Sequence, residues 1–74
     1  MNWSLLKLKK ILEVTFAQRF RIINEDNNLT VWEGRRYGEG YDTMRSVYDD
    51  YEVTHMRVKK GELLEIHIQK ESWL

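Results

Sequence analysis

The sequence predicts a small α+β domain: helix–hairpin–helix–hairpin, with a four-stranded antiparallel sheet covered by helices on one face. Three observations lead there. Apolar residues recur at spacings of three and four near the start and again around Met44–Tyr51, the period of a helix with one buried stripe. Elsewhere the pattern switches to period two on both sides of turn-forming runs, as the strands of half-buried hairpins do. The 74 residues amount to one domain, 1–74. A chain this short buries only about 60% of its unfolded surface, so its helices are needed to cover its sheet.

The first helix is predicted from about Ser4 to about Thr15. Ser4 can cap it, with Trp3 before the cap and Leu8 placed to close a hydrophobic staple. Leu5, Leu8, Ile11, Leu12 and Phe16 form its apolar face, and Lys7, Lys9, Lys10 and Glu13 fall mostly on the other. A hairpin follows, with strands around Arg19–Ile23 and Leu29–Glu33 and a turn through Asn24–Asn28. Alternation sends Phe20, Ile22, Leu29 and Val31 inward and Arg19, Arg21, Ile23, Thr30 and Trp32 outward. Parity then sets Trp32 opposite Arg19 or Arg21, where a guanidinium can stack on the indole.

Residues Gly34 to Gly40 hold three of the four glycines and are expected to form a loop. Asp42 can cap a short second helix whose apolar face is Met44, Val47, Tyr48 and Tyr51. Asp49 and Asp50 end it, because the helix dipole disfavours acid at a C-terminus. The last hairpin joins Glu52–Val58 to Leu63–Ile68 through Lys60-Gly61-Glu62. A three-residue turn sets Val58 against Leu64 and Met56 against Ile66 inside, and Arg57 against Glu65 and His55 against His67 outside. A two-residue turn would place Met56 opposite Glu65 and lose the alternation.

Composition excludes several functions. The absence of cysteine removes disulfides, thiolate catalysis and sulfur-ligated zinc, and fits a reducing compartment. Lysines inside and after the first apolar run do not match a signal peptide. No apolar stretch approaches the roughly 20 residues of a membrane span, so a soluble, cytoplasmic protein without membrane contact is expected. Twelve Lys+Arg balance twelve Asp+Glu, whereas nucleic-acid binders usually carry a positive excess. The charge is unevenly placed, with Lys7, Lys9, Lys10, Arg19 and Arg21 at one end of the sequence and Asp49, Asp50 and Glu52 further on, which suits oriented docking.

The sites with chemical potential are few. His55 and His67, as cross-strand neighbours, could share a metal or act as a pH switch. Zinc wants three or four ligands and no third shows convincing spacing, so the expectation is two ordinary surface histidines with no metal and no cofactor. The basic first helix could lie on a membrane or nucleic acid, but the domain needs its apolar stripe for the core. Arg35, Arg36 and Tyr37 in a glycine-containing loop suit a recognition loop better than a nucleotide site, since Gly38-Glu39-Gly40 lacks the offsets of a phosphate loop. Ser4, Ser46 and Ser72 lack a nucleophile-elbow context, and Asp49 and Asp50 point apart, so no catalytic residue is assigned. What remains is the outer face of the sheet. There Ile23, Trp32, Val53 and Leu63 would lie among Arg19, Arg21, His55, Arg57, Glu65 and His67, the mixture found at binding surfaces. Alternatively, the C-terminal segment with Trp73 folds over part of that face.

The layout carries one resemblance. A leucine-rich helix from Leu5 to Leu12, the Trp32-Glu33-Gly34 step, a short helix from Met44 to Tyr51 and a closing hairpin from Val53 to Ile68 span nearly the whole chain. In this it resembles the small proteins encoded in bacteriophages and mobile elements of Gram-positive bacteria. That class includes inhibitors of host defence, anti-CRISPR proteins among them, which occupy a surface on a larger host complex. The resemblance includes no signature motif and assigns no residue. The expected function is therefore a non-catalytic protein-binding module for a larger host or viral protein. Its expected contact residues are Trp32, Arg19, Arg21, Ile23, Arg35, Arg36, Tyr37 and Arg57. Two alternatives stand: a nucleic-acid binder using Lys7, Lys9, Lys10, Arg19, Arg35 and Arg36, and a self-associating structural protein, for instance a homodimer.

Overall fold

The computed structural model describes residues 6–70. Six elements appear there in the predicted order: α1 (Leu8–Val14), β1 (Arg19–Asn24), β2 (Leu29–Arg35), α2 (Tyr41–Tyr48), β3 (Glu52–Lys59) and β4 (Leu63–Gln69). The sheet they form is mixed rather than antiparallel, ordered β2-β1-β4-β3. Each hairpin keeps its own antiparallel pairing, and β1 runs parallel to β4 between them. Burial explains the order. Leu63, Leu64, Glu65 and Ile66 are buried in succession, which is how a strand flanked on both sides behaves. Most of β2 and β3 is exposed or half-buried, and these strands take the edges. The link from β2 through α2 to β3 carries the chain across the sheet, as a parallel pairing requires.

The register of the second hairpin is the predicted one: Val58–Leu64, Met56–Ile66, Arg57–Glu65 and His55–His67. Two irregularities change which faces the flanking residues occupy. Ile22 pairs with Trp32 but Ile23 pairs with Thr30, leaving Val31 as an extra residue. Val53 pairs with Ile68 and His55 with His67, leaving Thr54 as another. A bulge of one residue reverses the facing of everything beyond it. Trp32 therefore sits on the inner face, against Ile22, and not outside against Arg19 or Arg21. Val53 is likewise buried in the core rather than outside.

That core joins Leu8, Ile11 and Leu12 of α1 and Tyr41 and Met44 of α2 to Phe20, Ile22, Val53, Leu64, Ile66 and Ile68. Trp32 packs edge-on to Tyr41, with ring centroids 5.8 Å apart, and donates its Nε1–H to Glu39 O at 3.1 Å. Its indole leaves no space over Gly34, where an added Cβ would come within 2.7 Å of Trp32 Cζ2. That close approach, and not a loop, explains Gly34, which lies inside β2 opposite Phe20.

Five expected core positions lie outside the core. Met56 and Val58 are exposed because β3 is an edge strand whose far half the helices do not cover. Phe16 is 95% exposed, because α1 ends at Val14 and Thr15 is already extended. Val47 is exposed, since α2 starts at Tyr41 and turns Tyr41, Met44 and Tyr48 inward instead. Leu29 is also exposed, at the start of an edge strand. α1 begins at Leu8, after an extended Lys7 that bridges to Glu52, and not near Ser4. The expected cap and staple residues Trp3 and Ser4, and the apolar Leu5, fall outside the described residues, as does Trp73.

A seven-residue helix with no side-chain cap has its end groups satisfied from elsewhere in the fold, where an unsupported helix would leave them to water. Leu8 N–H donates to Tyr51 O at 2.9 Å and Lys9 N–H to Asp49 O at 3.0 Å. At the other end Arg36 donates from Nη1 to Leu12 O at 2.7 Å, from Nη2 to Thr15 O and Ala17 O at 2.9 Å, and from Nε to Ala17 O at 3.1 Å. Its guanidinium also lies over the Phe20 ring, 4.9 Å from the centroid. Arg36, expected to contact a partner, has its donors spent inside the domain.

Arg36→Lys replaces a planar fork with a single ammonium and is expected to lower the unfolding free energy by about 2 kcal/mol. Gly34→Ala is expected to cost about 1–3 kcal/mol by forcing the indole aside. Urea unfolding followed by tryptophan fluorescence checks both, and a midpoint unchanged in either variant contradicts the corresponding contact.

Candidate functional site

Two clusters of polar side chains lie at opposite ends of β1 and β4. The first is a chain of charges on the outer face. Arg21 lies opposite Glu33 on β2 and Glu65 on β4. Its Nε donates to Glu33 Oε1 at 2.9 Å and its Nη1 to Glu65 Oε2 at 3.2 Å. Glu65 Oε1 stands 3.0 Å from His67 Nε2, and His67 Nδ1 contacts Glu25 Oε2. The His55 ring stacks on His67, with centroids 4.0 Å apart and planes 19° from parallel.

The elements place each member for a traceable reason. The parallel pairing of β1 with β4 sets Ile23 beside His67 and Asn24 beside Ile68. The next residue, Glu25, then donates its N–H to Ile68 O at 2.7 Å and arrives beside the imidazole. The side chain of Asn24 accepts from Asp26 N–H at 2.9 Å and holds that turn. The three-residue turn between β3 and β4 sets the register that lays His55 over His67.

Burial opposes the charged form of His67, but its hydrogen bonds to Glu65 and Glu25, together with their negative charge, raise its pKa above the ordinary 6.5. Glu65, only 6% exposed, has its pKa lowered from 4.5. The bond to His67 is the main cause, burial opposes it, and the bond from Arg21 adds to it.

The second cluster is a cleft of about 370 Å³ whose walls include Phe16, Arg19, Arg35, Gly61 and Glu62. Arg19 and Arg35 face one another directly across the β1–β2 pair, although like charges so placed repel. Arg19 Nη1 donates to Gly61 O at 3.1 Å. Among the described residues, no side-chain hydrogen bond or ion pair engages Arg35. Phe16 stands exposed at the lip. Tyr37, one residue beyond Arg36, is 78% exposed at a backbone φ of 63°, a strained value for a side chain of that size.

No protein-family model, curated protein or solved structure matches this chain.

Of the residues expected to form one surface, the structure separates the set. Arg19 and Arg35 meet at the cleft, with Tyr37 exposed in the loop that follows. Arg21 is tied into the ionic chain. Ile23 is half-buried on the outer face beside His67, and Arg57 is exposed opposite Glu65. Trp32 and Arg36 belong to the interior contacts described above. Leu63 lies outward as expected but is buried. Phe16, Glu25 and Glu65 were not among the expected site residues. For Phe16 the available signal was the β-branched pair Val14-Thr15, which weakens a helix just before it. Among the described residues, no helix is long and apolar enough to cross a membrane.

The two shifts act in opposite directions on stability. The contribution of His67 is complete below its ordinary pKa and is lost as pH rises through its raised folded value. The contribution of Glu65 is complete above 4.5 and is lost as pH falls through its lowered folded value. In metal-free buffer, stability from this pair should be greatest between about pH 4.5 and 6.5 and decline on either side. Urea unfolding across that range checks it. His67→Gln should flatten the alkaline decline, and a parent profile already flat above about pH 6.5 contradicts the assignment.

Proposed function

We propose that this chain is a small non-catalytic binding module. It docks on a larger protein through the end of the sheet where Phe16, Arg19 and Arg35 meet, and it acts as an accessory or inhibitor of a host complex in the cytoplasm. The observation that carries this is the arginine pair opposed across β1 and β2 at the mouth of a cleft. Two arginines set opposite one another across adjacent strands cost stability in the free domain, and a carboxylate from outside relieves that cost with charge-assisted, bidentate geometry. Beside them, the exposed ring of Phe16 offers the desolvated aromatic contact that usually accompanies arginine at the centre of an interface. An acidic side chain next to an apolar one, presented by a folded partner, fits both features. The polar groups of the cleft are arginines, Gln18, Glu62 and backbone, a set suited to holding an anion rather than to breaking a bond.

This surface overlaps the expected one at Arg19 and Arg35 and replaces Trp32 with Phe16 as the aromatic anchor. A nucleic-acid partner draws on the same arginines but loses Arg36, whose donors are spent on Leu12, Thr15 and Ala17.

Phe16→Ser and Arg35→Glu should each weaken partner binding by about tenfold or more. Both positions are exposed, so the far-UV circular dichroism and unfolding midpoint should stay close to those of the parent. Capture from a lysate of the source cells, quantified for parent and variants, measures the first effect. Capture unchanged in both variants places the docking surface elsewhere. Low-salt binding to a DNA duplex or RNA strand that weakens steeply with salt and disappears in Arg35→Glu moves the assignment to nucleic acid.

A further inference from the structure

We propose that Glu25, His55 and His67 form a binding site for a divalent first-row transition ion, Zn²⁺ in chemical type. Each residue offers one donor atom, and the three donors lie within 4.8 Å of one another. Zinc bonds of about 2.0–2.2 Å in tetrahedral geometry place donors about 3.3–3.5 Å apart. Closing the site therefore takes reorientation of exposed side chains, with the His55 ring turned out of its stack on His67, and no movement of the strands. Glu25 and His55 are exposed and able to make that adjustment, while His67 is half-buried and fixed.

The surroundings go beyond a chance cluster. Two imidazoles and a carboxylate are a donor set that zinc and its neighbours favour. Buried Glu65 holds His67 Nε2 at 3.0 Å and thereby turns Nδ1 toward Glu25. A carboxylate behind a ligating histidine is the usual outer-shell support of such a site, fixing the ring and making its free nitrogen a better donor. The two rings lie against one another on adjacent strands. The turn that carries Glu25 is tied to β4 twice, by Glu25 N–H to Ile68 O at 2.7 Å and by Lys70 N–H to Asp26 Oδ2 at 2.9 Å. Glu25 and Glu65 bring two negative charges to the imidazoles. The neighbouring cation, Arg21, is already paired with Glu33 as well as with Glu65. Three protein ligands leave a fourth position for water or a side chain of a partner.

The site stands at the Asn24 end of β1. The cleft lies at the Arg19 end, about 16 Å away at about 3.3 Å per residue. The two assignments therefore stand or fall separately.

Calorimetric titration of the full chain with zinc chloride, after removal of metal by chelator, tests the inference. The expected result is saturable binding of one ion per chain and a melting temperature that rises with zinc. His55→Gln and Glu25→Gln should each weaken affinity by about tenfold or more, and Glu65→Gln by about 10–100-fold without touching the ion. Because His55 and Glu25 are exposed, their variants keep the fold and decide the matter even if Glu65→Gln does not. The proposal is overturned by the absence of saturable binding up to about 1 mM zinc, or by parental affinity in both His55→Gln and Glu25→Gln.

Discussion

Arg36 donates into the carbonyls of Leu12, Thr15 and Ala17, and much of the domain is arranged around that grip. α1 is seven residues long with no basic residue in its last turn, so beyond the bond from Thr15 N–H to Ile11 O its C-terminal carbonyls need partners from elsewhere. A guanidinium arriving from the end of β2 supplies donors and positive charge at the negative end of the helix. It also fixes the reversal between α1 and β1, through Arg36 N–H to Gln18 O at 2.7 Å as well as through its side chain. With the carbonyls of Asp49 and Tyr51 holding the other end, α1 lies clamped across the core residues of β1 and β4. In a chain too small for a large core, such directional contacts decide where a short helix sits.

The same grip positions the cleft. Because the chain leaves α1 at Val14 and runs extended to the Arg36 contacts, Phe16 is carried outward and Arg35 ends β2 facing Arg19. Two bulges then sort the rest of the sheet. Val31 turns Trp32 inward over Gly34, and Thr54 turns Val53 inward. The outer face is thereby left to an alternating row from Glu33 through Arg21, Glu65 and His67 to Glu25. Its charges satisfy one another where the arginines of the cleft do not.

Legibility of the candidate sites followed the range of the interactions. The His55–His67 pair was legible because it follows from one turn length in one hairpin. Glu25 was not, since it reaches His67 only through the parallel pairing of β1 with β4, which joins segments 42 residues apart. Trp32 was expected outside because strict alternation was carried through a strand that contains a bulge. Arg36 was expected free because an arginine beside glycines has no local sign of the carbonyls it will meet.

The sequence by itself determined the order of elements, the α+β class, the register of the second hairpin and the end of α2 near Asp49. These rest on periodicity, turn length and end effects, which act between near neighbours in the chain. Tertiary structure alone decided the mixed strand order, the two bulges, the length of α1 and the company kept by Arg36 and Glu25. Each of those is settled by distant groups satisfying backbone carbonyls or buried charge, and a local pattern carries no record of which distant group will arrive.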